Sequence, residues 1–304
     1  MNDLVTDVKN LKLETLKNLK SSKAFNTQRA YKADYKDFAI FCTKHGFKSM
    51  PSEPKIVSLY MTYLSQTSKF STLKRRLASI SVIHKLSGHY IDTKHPMITE
   101  NLMGIKRVKG SYQKAKKPIL INDLKLIINA IDEEKNEKKR LKNRALILIG
   151  FAGGFRRSEL VEIHYEDVDF VREGVKIFIK RSKTDQSGEG MTKGIPYFSN
   201  KIYCPVISLK NWLEKSEIKS GKIFNMSDKS VALIVKKYTS IVGLDSKRYS
   251  GHSLRSGFAT SAAELGAEER SIMAMTGHKT TQMVRRYIQD ANLFKNNALN
   301  KIKL

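Results

Sequence analysis

The amino-acid sequence predicts a mainly α-helical protein of two domains, the second carrying a small antiparallel β-sheet. Three observations predict this. Apolar residues recur at intervals of three and four along most of the 304 residues, the period of helices with one buried face. A polar, basic stretch ending in proline, KRVKGSYQKAKKP (106–118), has the composition of an interdomain linker. The period shifts to two in GVKIFIKRSKT (174–184), where Val175, Ile177 and Ile179 alternate with Lys176, Phe178 and Lys180, as in a strand.

Residues 1–24 alternate Leu and Val with Lys and Asn and are expected to form an N-terminal arm, as a short helix or a mobile segment. The first domain is expected over 25–108. Its first helix runs through Tyr31, Tyr35, Phe38 and Cys42, with Asn26 or Thr27 as cap and Gly46 as stop. A second spans 52–66, with Pro54 in its first turn. A third spans 71–86, where Leu73, Leu77, Ile80 and His84 share a face and His84 reads as a histidine at the edge of the core. A fourth covers 96–108. The linker is 109–118 and the second domain 119–290. That domain opens with a helix from Asn122 to Glu134 and a mostly buried helix over 138–154. KGIPYF (193–198) pairs with 174–184 across the glycine-rich hairpin DQSGEG. Helices follow at about 205–219, 228–241, 254–265, 268–275 and 280–289. A last helix at 291–300 lies in a C-terminal segment, 291–304, where Phe294, Ala298 and Ile302 are spaced by four.

Charge narrows the partners. The net charge is +27, with 23 basic against 8 acidic side chains in residues 1–118 and 33 against 21 in residues 119–304. A basic surface distributed over both domains favours a polyanion, with counterion release supplying much of the affinity. No Lys-rich amphipathic helix with an aromatic apolar face stands out, so nucleic acid is favoured over a membrane. Two cysteines, Cys42 and Cys204, make neither a disulfide framework nor a CxxC pair and fit a reducing cytoplasm. The N-terminus lacks the apolar stretch of a signal peptide, and the longest apolar run, ALILIGFAGG (145–154), is too short to span a bilayer. The histidines are scattered and there is no HExxH, so no metal and no cofactor are expected.

Three clusters in the second domain could carry chemistry: GGFRRSEL (153–160), GHSLRSGFA (251–259) and TGHKTTQMVRRY (276–287). Lys183 lies at the tip of the hairpin in RSKTD. Each residue alone has an ordinary reading: surface arginine, turn histidine, core tyrosine, solvated lysine. Together they match what metal-free cleavage of a phosphodiester needs. Two guanidiniums hold the non-bridging oxygens as charge develops. A phenol attacks phosphorus in line as its proton is taken up. A lysine or histidine protonates the leaving 5′ oxygen.

GFRRSEL, then RSKT, then GHSLR, then TGH with a tyrosine nine residues after its histidine resemble, in that order, the tyrosine recombinase (phage integrase) family, and within it Cre-like recombinases. The resemblance covers about residues 25–295. It implies an N-terminal helical core-binding domain of SAM-like fold and a C-terminal catalytic domain. By the same resemblance Arg156 and Arg255 are the phosphate clamps and Glu159 is the acid that orients the active-site groups. Lys183 is the general acid, His252 the acid/base histidine, His278 a phosphate-bonding histidine and Tyr287 the nucleophile. Arg157 departs from the family, which usually has a small or apolar residue there.

The resemblance further implies strand exchange through a 3′-phosphotyrosine and a Holliday junction, on double-stranded DNA with inverted-repeat half-sites. The protein would be a monomer in solution, a dimer on one site and a tetramer in synapsis, with its C-terminal segment docking in a neighbouring subunit. Its setting would be the cytoplasm, in a protein of bacterial, phage or plasmid origin. Polar helix faces are expected to meet DNA through Arg29 and Lys32 on the first helix, Lys74, Arg75 and Ser79 on the third, and Lys229, Ser230 and Lys236 on the helix from 228. A type IB topoisomerase or telomere resolvase with the same residues, and a DNA-binding protein without catalysis, are the competing readings.

Overall fold

A computed structural model describes residues 25–112, 115–180, 189–295 and 298–302, with scattered helical positions between 7 and 18. It divides into two compact units, Met1–Gln113 and Lys114–Leu304.

From residue 25 on, the described part of the first unit is helical: α1 (Phe25–Lys44), α2 (Pro54–Ser65), α3 (Phe70–Leu86) and α4 (Pro96–Lys109). Proline opens both α2 and α4, where its missing N–H costs nothing and its fixed φ suits the first turn. α1 packs on α3 and α2 on α4 around Phe38, Tyr60, Met61, Leu73, Ile80 and Ile98. The same core holds a polar knot. Asp34 is buried on α1 and accepts from Ser79 Oγ at 2.8 Å, and it pairs with Arg75 and Arg76. Arg76 Nη1 also reaches Asp37 Oδ2 at 2.5 Å and Tyr60 Oη at 2.8 Å.

This knot corrects the expected DNA face of α3. Ser79 is fully buried and committed to Asp34, so it cannot read a base; Arg75 pairs with the same carboxylate but keeps its side chain exposed. A buried carboxylate needs such partners, and α3 supplies them from the side that periodicity assigned to solvent. His84 is likewise wholly buried rather than at the edge. Its Nε2 accepts from Ser52 N–H at 3.1 Å, and its Nδ1 lies 2.8 Å from the Ile80 carbonyl.

The second unit is built around α6 (Glu137–Ala152), preceded by α5 (Ile121–Asp132) and followed by the short α7 (Arg157–Val161). From Ala145 to Ala152 every residue of α6 is buried, so its end is apolar all round and sits between two hydrophobic clusters. An antiparallel sheet of order β1-β2-β3 follows: β1 (Val168–Val171), β2 (Gly174–Ile179) and β3 (Met191–Pro196). The rest is helical: α8 (Pro205–Ser216), α9 (Asp228–Ile241), α10 (His252–Glu264), α11 (Glu269–Thr276) and α12 (Thr281–Asn292).

The sheet differs from expectation in two ways. β1, with the sequence VDFV, has only one clear alternation and was not anticipated, and β3 begins two residues before 193. The separate helix expected at 291–300 does not form among the described residues. α12 continues to Asn292, and a single 3₁₀ turn covers Ala298–Lys301. Phe294 is largely exposed, so the spacing of four there reports no packed face among the described residues. Among the described residues no helix is long and apolar enough to cross a membrane.

α10 lies against the segment before α5, where Ile119 N–H donates to the Ser253 carbonyl at 3.0 Å. Gly257 makes this approach possible, because a Cβ there would lie 2.0 Å from the Ile119 carbonyl oxygen. That neighbour is backbone and cannot swing away. Gly257→Ala is therefore expected to destabilise the second unit by about 1–3 kcal/mol, read as a lower urea midpoint with an unchanged slope.

Candidate active site

The turn from α6 to α7 carries the first arginine. Gly154 takes φ +54°, a left-handed conformation open to glycine without strain, and this reverses the chain at the end of α6. Phe155 is then buried and Arg156 becomes the N-cap of α7. Glu159, in the first turn, reaches back to accept from Arg156 N–H at 2.9 Å and from Arg156 Nη1 at 2.5 Å. Arg156 Nη2 donates to the Gly277 carbonyl at 3.4 Å. Arg157, one residue on, turns the other way, with Nη2 at 3.7 Å from Asp228 Oδ2. Burial alone would raise the Glu159 carboxyl. The hydrogen bonds from Arg156, with the charges of Arg156 and Lys193, outweigh it and hold the group below the usual carboxylate range.

α10 begins at His252 and places Arg255 one turn later. Arg255 is 1% exposed; its Nη1 donates to the Gly154 carbonyl at 2.9 Å. Its Nη2 is buried with no hydrogen-bond partner among the described residues. Burial, then the charge of Arg156, push this guanidinium down to about 10, so it stays protonated at neutral pH. An ionised, desolvated N–H without an acceptor is costly unless a ligand supplies one.

α11 ends in Gly277, in the left-handed conformation, and leads into His278. His278 is 6% exposed and its Nδ1 lies 2.8 Å from Thr276 Oγ1. Burial, then the charges of Arg255 and Arg156, push it down to about 4. α12 delivers Tyr287, whose ring centroid is 6.1 Å from that of His278 and whose Oη is 3.4 Å from His252 Nε2. His252 keeps an exposed edge, yet loss of water around its ring, then Arg255, Arg156 and Arg157, lower it below the usual histidine range. Burial raises the Tyr287 phenol more than Arg255 lowers it, so it is protonated at neutral pH.

Arg156, Glu159, His252, Arg255, His278 and Tyr287 thus converge. Lys183 lies outside the described residues. Sequence reasoning missed Lys193. It stands opposite Ile177 in the sheet, on the core face of β3, and is 2% exposed. Its Nζ donates to the Gly153 carbonyl at 2.6 Å and sits 4.4 Å from the centroid of Phe155. The signal was present: Lys193 is two residues before Ile195, and in a strand residues two apart share a face. Of the expected DNA contacts, Arg29, Lys32, Lys74, Lys229 and Lys236 are exposed. Ser230 is half-buried with Oγ 2.9 Å from Ser227 Oγ. Among the described residues no three His, Cys, Asp or Glu side chains converge as metal ligands would.

Comparison with known proteins gives concordant likenesses. The description of the phage integrase family matches residues 119–293. An integrase/recombinase described as a XerD homolog, from Selenomonas ruminantium, is 43% identical over 96% of this chain and 89% of its own length. A tyrosine recombinase XerC from Leptospira interrogans is 23% identical over 86% of this chain and 82% of its own. Among solved structures, the XerH recombinase bound to a palindromic difH substrate in a post-cleavage complex superposes with a TM-score of 0.62. It has 18% identity and covers 83% of this chain and 71% of its own. A lambda integrase dimer bound to a COC′ core site has a TM-score of 0.58 at 17% identity, covering 96% and 79%. These two show a shared fold.

The state of His278 has a consequence for stability. Above pH 6.5 it is neutral both folded and unfolded; between there and about 4 only the unfolded chain takes up the proton. Stability therefore falls as pH drops through this window, by roughly 3 kcal/mol from His278, and levels off below it. In His278→Gln that part of the acid destabilisation is expected to vanish, measured as denaturation midpoints from pH 7 to pH 4.

Proposed function

We propose how this chain, which belongs to the phage integrase family and is a tyrosine recombinase, cuts and rejoins DNA at specific sites. The observation that carries the mechanism is the buried Arg255 Nη2, ionised and without an acceptor among the described residues, beside Arg156 and the Tyr287–His252 pair. The missing acceptor is a non-bridging oxygen of the scissile phosphate.

Arg255 and Arg156 hold the two non-bridging oxygens and gain strength as charge grows on them in the transition state. Glu159 holds Arg156 by its guanidinium and its backbone N–H, so that arginine meets the phosphate already oriented. Tyr287 Oη attacks phosphorus and its proton passes to His252 Nε2, which is unprotonated at neutral pH and 3.4 Å away. The Tyr287 Oη–phosphorus bond forms and the phosphorus–O5′ bond breaks. The 5′ oxygen takes a proton, for which Lys183 is the donor. His278 is held by Thr276 at Nδ1; the charge of a bound phosphate favours a proton on Nε2, which then donates to a phosphate oxygen. The 3′-phosphotyrosine conserves the energy of the broken ester, and a 5′ hydroxyl from another strand reverses the step.

Double-stranded DNA is the partner, and exposed Arg29, Lys32, Lys74, Lys229 and Lys236 contact it, mostly at phosphates. Exchange through a Holliday junction calls for two duplexes. It fits a dimer on each site of inverted half-sites and a tetramer in synapsis, assembled through the C-terminal segment.

The test is covalent trapping. Nicked suicide duplexes, enriched from a random pool by capture on the wild-type protein, should yield an SDS-resistant adduct that Tyr287→Phe does not form. Arg255→Lys keeps the charge but loses the fork, and should slow adduct formation by about 100- to 1,000-fold. An adduct that survives Tyr287→Phe would move the nucleophile elsewhere.

A further inference from the structure

The mechanism above makes no use of Lys193, yet this is the most unusual side chain of the second unit. Every other inward-facing position of β2 and β3 is apolar: Val175, Ile177 and Ile179 on β2, Met191 and Ile195 on β3. A lysine directly opposite Ile177 breaks the pattern where a Leu or Met would pack without penalty. Its ammonium does not snorkel to water. It ends on the Gly153 carbonyl at 2.6 Å, over the Phe155 ring.

The next carbonyl of the chain, Gly154, is held by Arg255 Nη1 at 2.9 Å. Two successive carbonyls of the turn that delivers Arg156 are therefore gripped by two buried cations, one from β3 and one from α10. Lys193 ties the turn to the sheet and Arg255 ties it to the helix of the second clamp, beside the packing of Phe155 in one cluster with Val175, Ile177 and Ile195.

We propose that Lys193 is a positioning residue of the cleavage reaction: from the core face of β3 it fixes the Gly153–Phe155 turn, and so sets Arg156 against Arg255 and ties both to that strand. The proposal rests on the recombinase reading above. It accounts for a cation kept where stability opposes it. Lys193 faces Glu159 from α7, Arg156 from the turn, Arg255 from α10 and His278 from the loop after α11. Burial, with Arg255 and Arg156, pushes it down to about 7 despite Glu159. A residue retained only for packing has no reason to carry that load.

The sign of the pH dependence separates this role from a structural one. The unfolded lysine binds its proton below 10.5, the folded one only below about 7. Between these values the unfolded chain holds the extra proton, so the wild-type protein loses stability as pH falls from 10.5 towards 7. Lys193→Met lacks this liability.

The experiment compares wild type and Lys193→Met by calorimetry at pH 10 and pH 7, and by the rate of covalent trapping on saturating nicked duplex. The expected result is a Met variant whose Tm rises relative to wild type between pH 10 and pH 7, and which binds the duplex within about threefold of wild type. It should form the adduct about 10- to 100-fold more slowly, the scale on which a small misplacement of a clamp acts. A stable Met variant that cleaves at the wild-type rate overturns the proposal, as does one that loses stability and binding along with rate. If wild type forms no adduct either, the recombinase reading fails, and that outcome is distinct because the variant then has nothing to be slower than.

Discussion

The second unit is organised around a scarcity of negative charge. Arg156 and Arg255 bring two permanent cations into the protein, Lys193 adds a third that titrates near neutrality, and the carboxylate that acts on all of them is Glu159. Taking such ions out of water costs several kcal/mol each, and each cation also repels the others. Backbone carbonyls of Gly153, Gly154 and Gly277 return part of that cost, but they are dipoles and not anions. The site is left short of the charge that a phosphodiester carries. An enzyme that holds its clamps in this state before substrate arrives needs little reorganisation when charge develops.

Holding like charges together requires a scaffold that does not yield, and the fold supplies it from apolar parts. The wholly buried end of α6 anchors the turn on one side. The inward residues of β2 and β3 anchor Lys193 on another. α10 is pinned by the close approach at Gly257, so Arg255 cannot drift outward to water. The charged site is thus seated on the hydrophobic core, and the interactions that stabilise the unit also set the geometry of its least stable part.

Much of this was legible in the sequence. Helical periodicity located most of the elements, because amphipathic helices advertise their buried face. The spacing of GFRRSEL, GHSLR and TGH to Tyr287 marked residues that the fold brings together, because their chemistry restricts which side chains can stand there. What was not legible depends on partners distant in sequence. Ser79 lay off the apolar line of α3 and read as exposed, but Asp34 on another helix draws it into the core. Lys193 was missed because nothing local shows that a carbonyl 40 residues earlier receives its ammonium. β1 was too short and too irregular to show a period, and the spacing of Phe294, Ala298 and Ile302 imitated a helix that the described residues there do not form.

The protonation states divide the site by task. Where charge must be permanent the residues are arginines, which remain ionised even when burial presses them down. Where a proton must move, the groups are set against charge: His252 and His278 are lowered and the Tyr287 phenol is raised. On the proposed mechanism these shifts have one direction of use. A phenol that keeps its proton at rest cannot act as a free phenolate on water or a stray electrophile. An imidazole that is neutral at rest can take that proton when a phosphate is in place. Burial keeps both groups neutral; the charges of Arg255 and Arg156 add to it at His252, Arg255 opposes it at Tyr287, and a bound phosphate weakens those charges. The substrate thereby raises the proton affinity of His252 at the moment the nucleophile gives its proton up, which ties the readiness of the base to occupation of the clamp.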